Sequence, residues 1–526
     1  MMKAKDVAGL EEVRLENGNI HGSLPSAEEV KTTHILQRKG GCTKKRFLIS
    51  LTVALFLIIA CTILGVSVQN RREEDALEAE LGHLQEVMDF VSQHSDQDKL
   101  ADSNSAQFKA AQWMALEDSK NLPLHGTRFL QRYVLMILYF ATGGDHWLYD
   151  LNFASPDRDE CHWNHQFRQS HGASYELGVD CDNDNQVTSV SIDAMGLTGT
   201  LPSELSLLTH MQHLSLRSNS LSGDIPNLHT MTQLTSLSLT YNNYSTKLPN
   251  WLGKLSNLSF LGLTNNNFRS TIPTDFLKLT ALETLALDDN SLTGSLGSLE
   301  NMNWLKNIYL HGNQFTGTLT NEFLSDLNKL EVLNLSNNLL KGSVPRGLLH
   351  HTGLKILDLH DNQLDGALPN SIPHSTSLQV LAIQDNMLTG SIPPSIENLV
   401  TLQRLDVSSN KLDGAIPTTL GTLAKMTSLS LASNDFVASA IPPFLANMPL
   451  LQEISLKATR RVGKIPPWLG TDFNHLVLLD LDSNSLTGNI PTQIASLAKL
   501  EYLFLSRNNL IGAVPSEMST MSNLCK

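Results

Sequence analysis

The sequence is poor in cysteine, with 5 in 526 residues, and poor in aromatics (6%) and in charge (17%). So few cysteines exclude a disulfide-dense scaffold. Basic residues are in deficit, 38 against 52 acidic, for a formal net charge of −14. That balance excludes a dedicated nucleic-acid binder, which needs a basic face to displace counterions from phosphate. There is no phosphate-cradling loop, no Ser or Cys nucleophile in a recognisable motif and no zinc-ligand spacing. Accordingly no enzymatic activity, cofactor or metal is expected. A hydrophobic content of 41% rules out a disordered acidic chain.

One long apolar run is present. Phe47 to Val68 contains no charged residue, and 22 helical residues span roughly 33 Å, enough for a hydrocarbon core of about 30 Å. The run starts after 46 residues and is too long for a cleaved signal core, so it reads as a retained transmembrane helix. Arg38, Lys39, Lys44, Lys45 and Arg46 precede it, whereas Arg71 and Arg72 follow it together with Glu73, Glu74, Asp75, Glu78 and Glu80. Positive charge stays in the cytosol. The expectation is a single-pass type II protein in the cell membrane, with a cytosolic tail (1–46) too small for a kinase domain and an extracellular C-terminal part. Leu77, Leu81, Leu84, Met88 and Val91 form a short heptad seam. Residues 69–107 therefore read as a stem or linker through which the chain could form a homodimer.

From about residue 187 the chain repeats itself. LEVLNLSNNLLKGSVP starts at Leu330, LKILDLHDNQLDGALP at Leu354 and LQVLAIQDNMLTGSIP at Leu378. Fourteen copies, with their asparagine position running from Met195 to Asn508, give a period of about 24 residues, the mark of a leucine-rich-repeat solenoid. In LxxLxL the leucines point inward while the residues between them line one exposed face. Asparagine fills its position in twelve of the fourteen copies, where a short amide can satisfy backbone groups at the strand's end. Twelve of the 20 prolines recur at one position, where fixed φ and a missing donor suit the start of a short helical segment. The fold class is thus an α/β solenoid: a horseshoe with a parallel concave sheet over 187–523.

The GxIPxxLGxLxx extension resembles the plant-type leucine-rich-repeat class of receptor-like kinases, receptor-like proteins and polygalacturonase inhibitors. The segment 108–186 resembles that family's helical N-terminal cap, through Arg132–Trp147, Cys161-His162-Trp163 and Gly178-Val179-Asp180-Cys181-Asp182. Fourteen residues, Asn164–Leu177, stand where the family has one. This insertion, with His165 and His171, reads as a mobile surface loop. The resemblance implies a Cys161–Cys181 disulfide. Asn243, Asn257 and Asn334 each open a glycosylation sequon. Another repeat would start at Leu524, so 524–526 reads as a truncated or atypical cap. Arg461 takes a core-leucine position and is expected to snorkel its head into water.

An acidic, histidine-containing stripe crosses the exposed strand positions: Asp288 and Asp289, Tyr309 and His311, Asn334, Asp358, His360 and Asp361, Gln384 and Asp385, and Asp406. It suits a cationic peptide, a sugar or a divalent ion, although no compact ligand spacing marks a metal site; as a receptor surface it would take a peptide, a carbohydrate or another protein. The expected function is membrane-anchored extracellular recognition, with signalling through a co-receptor or other partner. An adhesion or matrix scaffold and an inhibitor of extracellular hydrolases are the alternatives.

Overall fold

The computed structural model describes residues 71–168, 174–321, 327–374 and 377–525. The expected membrane span and cytosolic tail lie outside the described residues. Among the described residues no helix is long and apolar enough to cross a membrane. The chain divides into two compact units, one ending at Met231 and the other starting at Thr232.

The first unit opens with helices α1 (Arg71–Val91), α2 (Gln97–Ala101), α3 (Ala106–Leu116) and α4 (Thr127–Ala141). Asp96 and Ser105 cap α2 and α3 by accepting the Asp98 and Phe108 N–H groups, donors that a helix start otherwise leaves unmet. Helix α4 buries Tyr133 through Leu138 completely.

Two sequence expectations fail here. The seam residues Leu84 and Val91 are 6% and 0% exposed, because the end of α1 packs on α3, and Phe90 meets Phe129 of α4 at 5.7 Å. The supposed linker holds α2, with Leu100 4% exposed. What read as a free stem therefore packs into this unit, and its C-terminal half is not available as a dimer seam. The polar stretch misled because its one large apolar residue, Leu100, is buried.

Arg132 is fully buried at the centre of the unit. It bonds Asp118 through two nitrogens, each at 2.9 Å, donates to the Arg158 carbonyl at 2.9 Å, and lies 4.5 Å from the Trp163 ring. Glu160 is shared between Arg132 and Arg128. A buried guanidinium is tolerable only when its donors are met, and these are. The Cys161–Cys181 disulfide is formed.

The insertion is a second correction. It is a β-hairpin, β1 (Asn164–Arg168) against β2 (Ser174–Cys181), and β2 pairs antiparallel with β3 (Val187–Ser191), which pairs parallel with β4 (His213–Ser215). Phe167 stacks on Tyr175 at 5.5 Å and meets Tyr149 at 4.9 Å, giving the hairpin an apolar side of its own. His171 lies outside the described residues.

The second unit is a stack of parallel three-residue strands, from Ser236–Ser238 to Tyr502–Phe504, one per repeat and twelve among the described residues. Leu237, Leu261, Leu285, Ile308, Leu333, Leu357, Leu381, Leu405 and Leu429 stand in register, none more than 1% exposed. No repeat could bury these leucines alone. Prolines such as Pro249, Pro393 and Pro417 occupy the N-cap of the 3-10 turn that carries the chain back.

The asparagine ladder behaves as the sequence suggested. In the repeats of Asn266, Asn290, Asn313, Asn338, Asn362, Asn386, Asn410, Asn434 and Asn508 the side-chain nitrogen donates to three carbonyls and the oxygen accepts one N–H, whereas Asn484 accepts two. Asn362 donates to Leu335, Leu359 and His360 at 3.0 to 3.2 Å and accepts from Leu340 at 3.0 Å.

Arg461 departs from expectation. It is fully buried instead of reaching water, and among the described residues its side-chain partners are the carbonyls of Thr459 and Val437 and the Ser439 hydroxyl. Thr459 stands at an asparagine position and supplies one hydroxyl donor, to Leu456. The guanidinium finds its acceptors inside the coil, which removes the need to snorkel. Burial lowers its pKa.

Candidate functional site

The strand face from Asp288 to Asp406 holds the residues singled out by sequence, and the structure sorts them by what already occupies them. One group closes the strand end. Asn334 accepts the Ser336 N–H at 3.1 Å, Asp358 the His360 N–H at 3.2 Å, and Asp406 the Ser408 N–H at 3.0 Å. These are Asx turns, in which a short side chain substitutes for a missing ladder partner. Asn334 and Asp358 are 5% and 1% exposed, and Tyr309 is 6% exposed. Burial pushes the Asp406 carboxyl above its usual value, against the bonds from Ser408 and the charge of Arg404. Asn334 is therefore no glycan acceptor in this fold: it is buried, and its oxygen is held by the serine of its own sequon. Asn243 and Asn257 are exposed.

A second group precedes each ladder asparagine. Asp289, Asp361 and Asp385 have φ of 50°, 50° and 55°, as do their counterparts Tyr241, Asn265, Asn337 and Ser409 at 51° to 55°. Gly312 holds the same place at 63°. The left-handed conformation favours Gly, Asn and Asp. Sequence reading took these acids as ligand residues. The backbone gives a separate reason for the residue type, though not for three carboxylates among so many alternatives.

Charge pairing separates the repeats further. Some acids find bases one repeat away: Glu283 with Lys306 at 2.9 Å, Glu331 with Lys355 at 2.6 Å, and Asp482 with Arg507 at 3.0 Å. Such exposed pairs add about 0–1 kcal/mol each, so they neutralise the surface more than they stabilise it. Asp361 and Asp385, half-buried and exposed respectively, form no ion pair with Lys or Arg among the described residues. Beside them His360 Nδ1 lies 2.6 Å from Asp358 Oδ1, and its Nε2 lies 3.1 Å from the Asn337 amide nitrogen. Burial opposes charging of this imidazole, but the hydrogen bond and charge of Asp358, with Asp361 and Asp385 beyond, outweigh it and hold His360 above its ordinary pKa.

The sequence reading placed three further residues on the stripe but set a metal aside for want of compact ligand spacing. Asp288, Asp289 and His311 bring two carboxylates and an imidazole within 4.8 Å of one another, a donor set suited to a divalent ion. His311 Nε2 is 3.6 Å from Asp288 Oδ2, and Thr264 donates to Asp288 at 2.9 Å. The signal was a one-repeat offset, invisible to a search for compact ligand spacing.

Family models described as leucine rich repeat match residues 305–364 and 449–510, and a second model of the same description matches 233–255, 377–399 and 401–423. These are leucine-rich repeats. The solved structures similar to the chain include a TDR receptor, at 31% identity over 65% of this chain with a TM-score of 0.61. They also include the plant peptide hormone receptor RGFR1 in complex with RGF2, at 30% identity over 64% of this chain with a TM-score of 0.58. The chain covers 59% and 57% of those two, so each extends well beyond the match. A leucine-rich-repeat protein of Leptospira interrogans is similar at 25% identity, with a TM-score of 0.52, over 63% of this chain and 86% of its own. The chain is thus similar to plant-type leucine-rich-repeat receptors over about two thirds of its length, and the fold itself also occurs in a bacterium.

Proposed function

We propose that the protein is a membrane-anchored extracellular recognition protein whose strand face binds a peptide or protein ligand. The observation that carries this reading is the cluster of Asp358, Asp361 and Asp385 around His360, none of the three carboxylates having a Lys or Arg ion-pair partner among the described residues. A local excess of negative charge next to a rigid sheet favours a ligand that brings Lys or Arg side chains. The likeness to RGFR1, a peptide hormone receptor by name, supports a peptide as that ligand.

In this reading Phe47–Val68 spans the membrane and holds the repeats outside the cell, with glycans at Asn243 and Asn257. A signal passes through a co-receptor or another partner. The chain acts by binding and not by catalysis.

The test uses intact cells that express the full chain. Trypsin added outside should remove the repeats, and a fluorescein-labelled hexalysine should bind saturably at pH 8. Repeats that resist external protease in unbroken cells but are cut after permeabilisation would overturn the topology. Binding that never saturates would overturn the recognition site.

A further inference from the structure

The carboxylate group on the strand face surrounds an imidazole. His360 is flanked by Asp358 and Asp361 of its own repeat, by Asp385 of the following repeat, and by the neutral amide of Asn337 in the preceding one. The side chain is 13% exposed and that of Asp358 is 2% exposed, so little water screens their interaction. Facing a carboxylate and an amide nitrogen, the ring donates from Nδ1 to Asp358 and accepts at Nε2 from the Asn337 Nδ2–H group. That arrangement belongs to the neutral imidazole. Adding a proton at Nε2 turns the acceptor into a donor, and Asn337 must then rotate its amide to present Oδ1. The Asn337 side chain is exposed, so the rotation meets no packed neighbour.

We infer that His360 gates the strand face by pH: protonated, it occupies the Asp358–Asp361–Asp385 group as an internal cation, and deprotonated, it leaves three negative charges for a ligand's ammonium or guanidinium group. The inference rests on the strand-face reading above and adds to it the class of ligand group and its control. It requires that His360 titrate above a free imidazole, in keeping with the direction its neighbours impose. A proton changes the local charge from three negatives to two and exchanges the donor offered by Asn337 for an acceptor. Both changes alter what a cationic side chain meets.

The experiment uses the full chain in detergent and fluorescein-labelled hexalysine, whose lysines keep their charge from pH 5 to pH 8. Hexalysine affinity should rise about tenfold across that range, the scale expected from removing one nearby positive charge under partial screening. His360→Gln should bind at the high-pH level throughout. Exchange of the imidazole C2 hydrogen, read by mass spectrometry without any ligand, should place the His360 midpoint above about 6.5. The midpoint should fall in Asp358→Asn, and rise in Asn337→Asp, which fixes an acceptor opposite Nε2. A wild-type affinity that is flat with pH, or a rise that survives in His360→Gln, overturns the gate and leaves the binding site standing. Absence of hexalysine binding at every pH overturns the strand-face reading and the gate with it.

Discussion

Replacing Asn386 by alanine tests how the repeats are held together. Asn386 Nδ2 donates to the carbonyls of Leu359, Ile383 and Gln384 at 3.1, 3.2 and 3.1 Å, and its Oδ1 accepts the Leu364 N–H at 2.9 Å. The carbonyls are partly insured. Leu359 also accepts from Asn362, Ile383 from Asn410, and Gln384 from the Asp361 N–H. The Leu364 N–H has no second acceptor among the described residues, and both Asn386 and Leu364 are buried. Orphaning one buried donor costs about 1–3 kcal/mol, and the weakened carbonyl bonds add about 1 kcal/mol more. The expected loss is about 3 kcal/mol. In a solenoid it should fall on the repeat and its neighbours. Native-state hydrogen exchange read by mass spectrometry should show peptides covering 359–364 and 380–388 exchanging about a hundredfold faster, since about 1.4 kcal/mol is a factor of ten. Asn386→Asp keeps the acceptor but sets a carboxylate against three carbonyls, and should be no better. A loss below about 1 kcal/mol, or exchange unchanged at 359–364, would refute the ladder as the element that ties one repeat to the next.

Other predictions are more local. Arg461→Ala should cost about 3 kcal/mol, from a cavity and carbonyls left without donors, whereas Arg461→Met should cost less because it refills the space with apolar atoms; thermal unfolding of both variants checks the order. Reducing Cys161–Cys181, which closes 20 residues, should destabilise the first unit by about 3 kcal/mol, seen as faster limited proteolysis before residue 231. His360 has a folded pKa above its unfolded value, so its contribution to stability is complete below about pH 6.5 and is lost as pH rises through the folded value. His360→Gln should therefore lower the melting temperature at pH 5.5 and leave it nearly unchanged at pH 8.5. On gels of glycosylated protein, Asn243→Gln and Asn257→Gln should each remove a mobility step, and Asn334→Gln should remove none.

The repeat made much of the second unit readable. Leucines at a fixed spacing, an asparagine per turn and a proline per turn are local rules, and each reappears in the packing of the repeats. The cap core is different, because Arg132, Asp118 and Glu160 meet across a gap of 42 residues that no pattern marks. The same holds for α1 and α2, whose few apolar residues are decisive only once α3 and α4 are in place. In the candidate site, sequence found the right strand positions and misjudged their state. Asp358, Asn334 and Asp406 are engaged by the backbone two residues on, a bond that can be anticipated from a short side chain at the strand's end. Asp361 and Asp385 look like their neighbours in the chain, and what sets them apart is that the fold gathers them with Asp358 around His360.

The most direct measurement is hexalysine binding at pH 8 to intact cells displaying the wild-type chain or the Asp361→Asn/Asp385→Asn variant. Asparagine tolerates the left-handed backbone at both positions, so the substitutions remove charge without disturbing the turns. The account predicts at least a tenfold loss of affinity with an unchanged surface trypsin pattern. Equal affinity for the two proteins would contradict it.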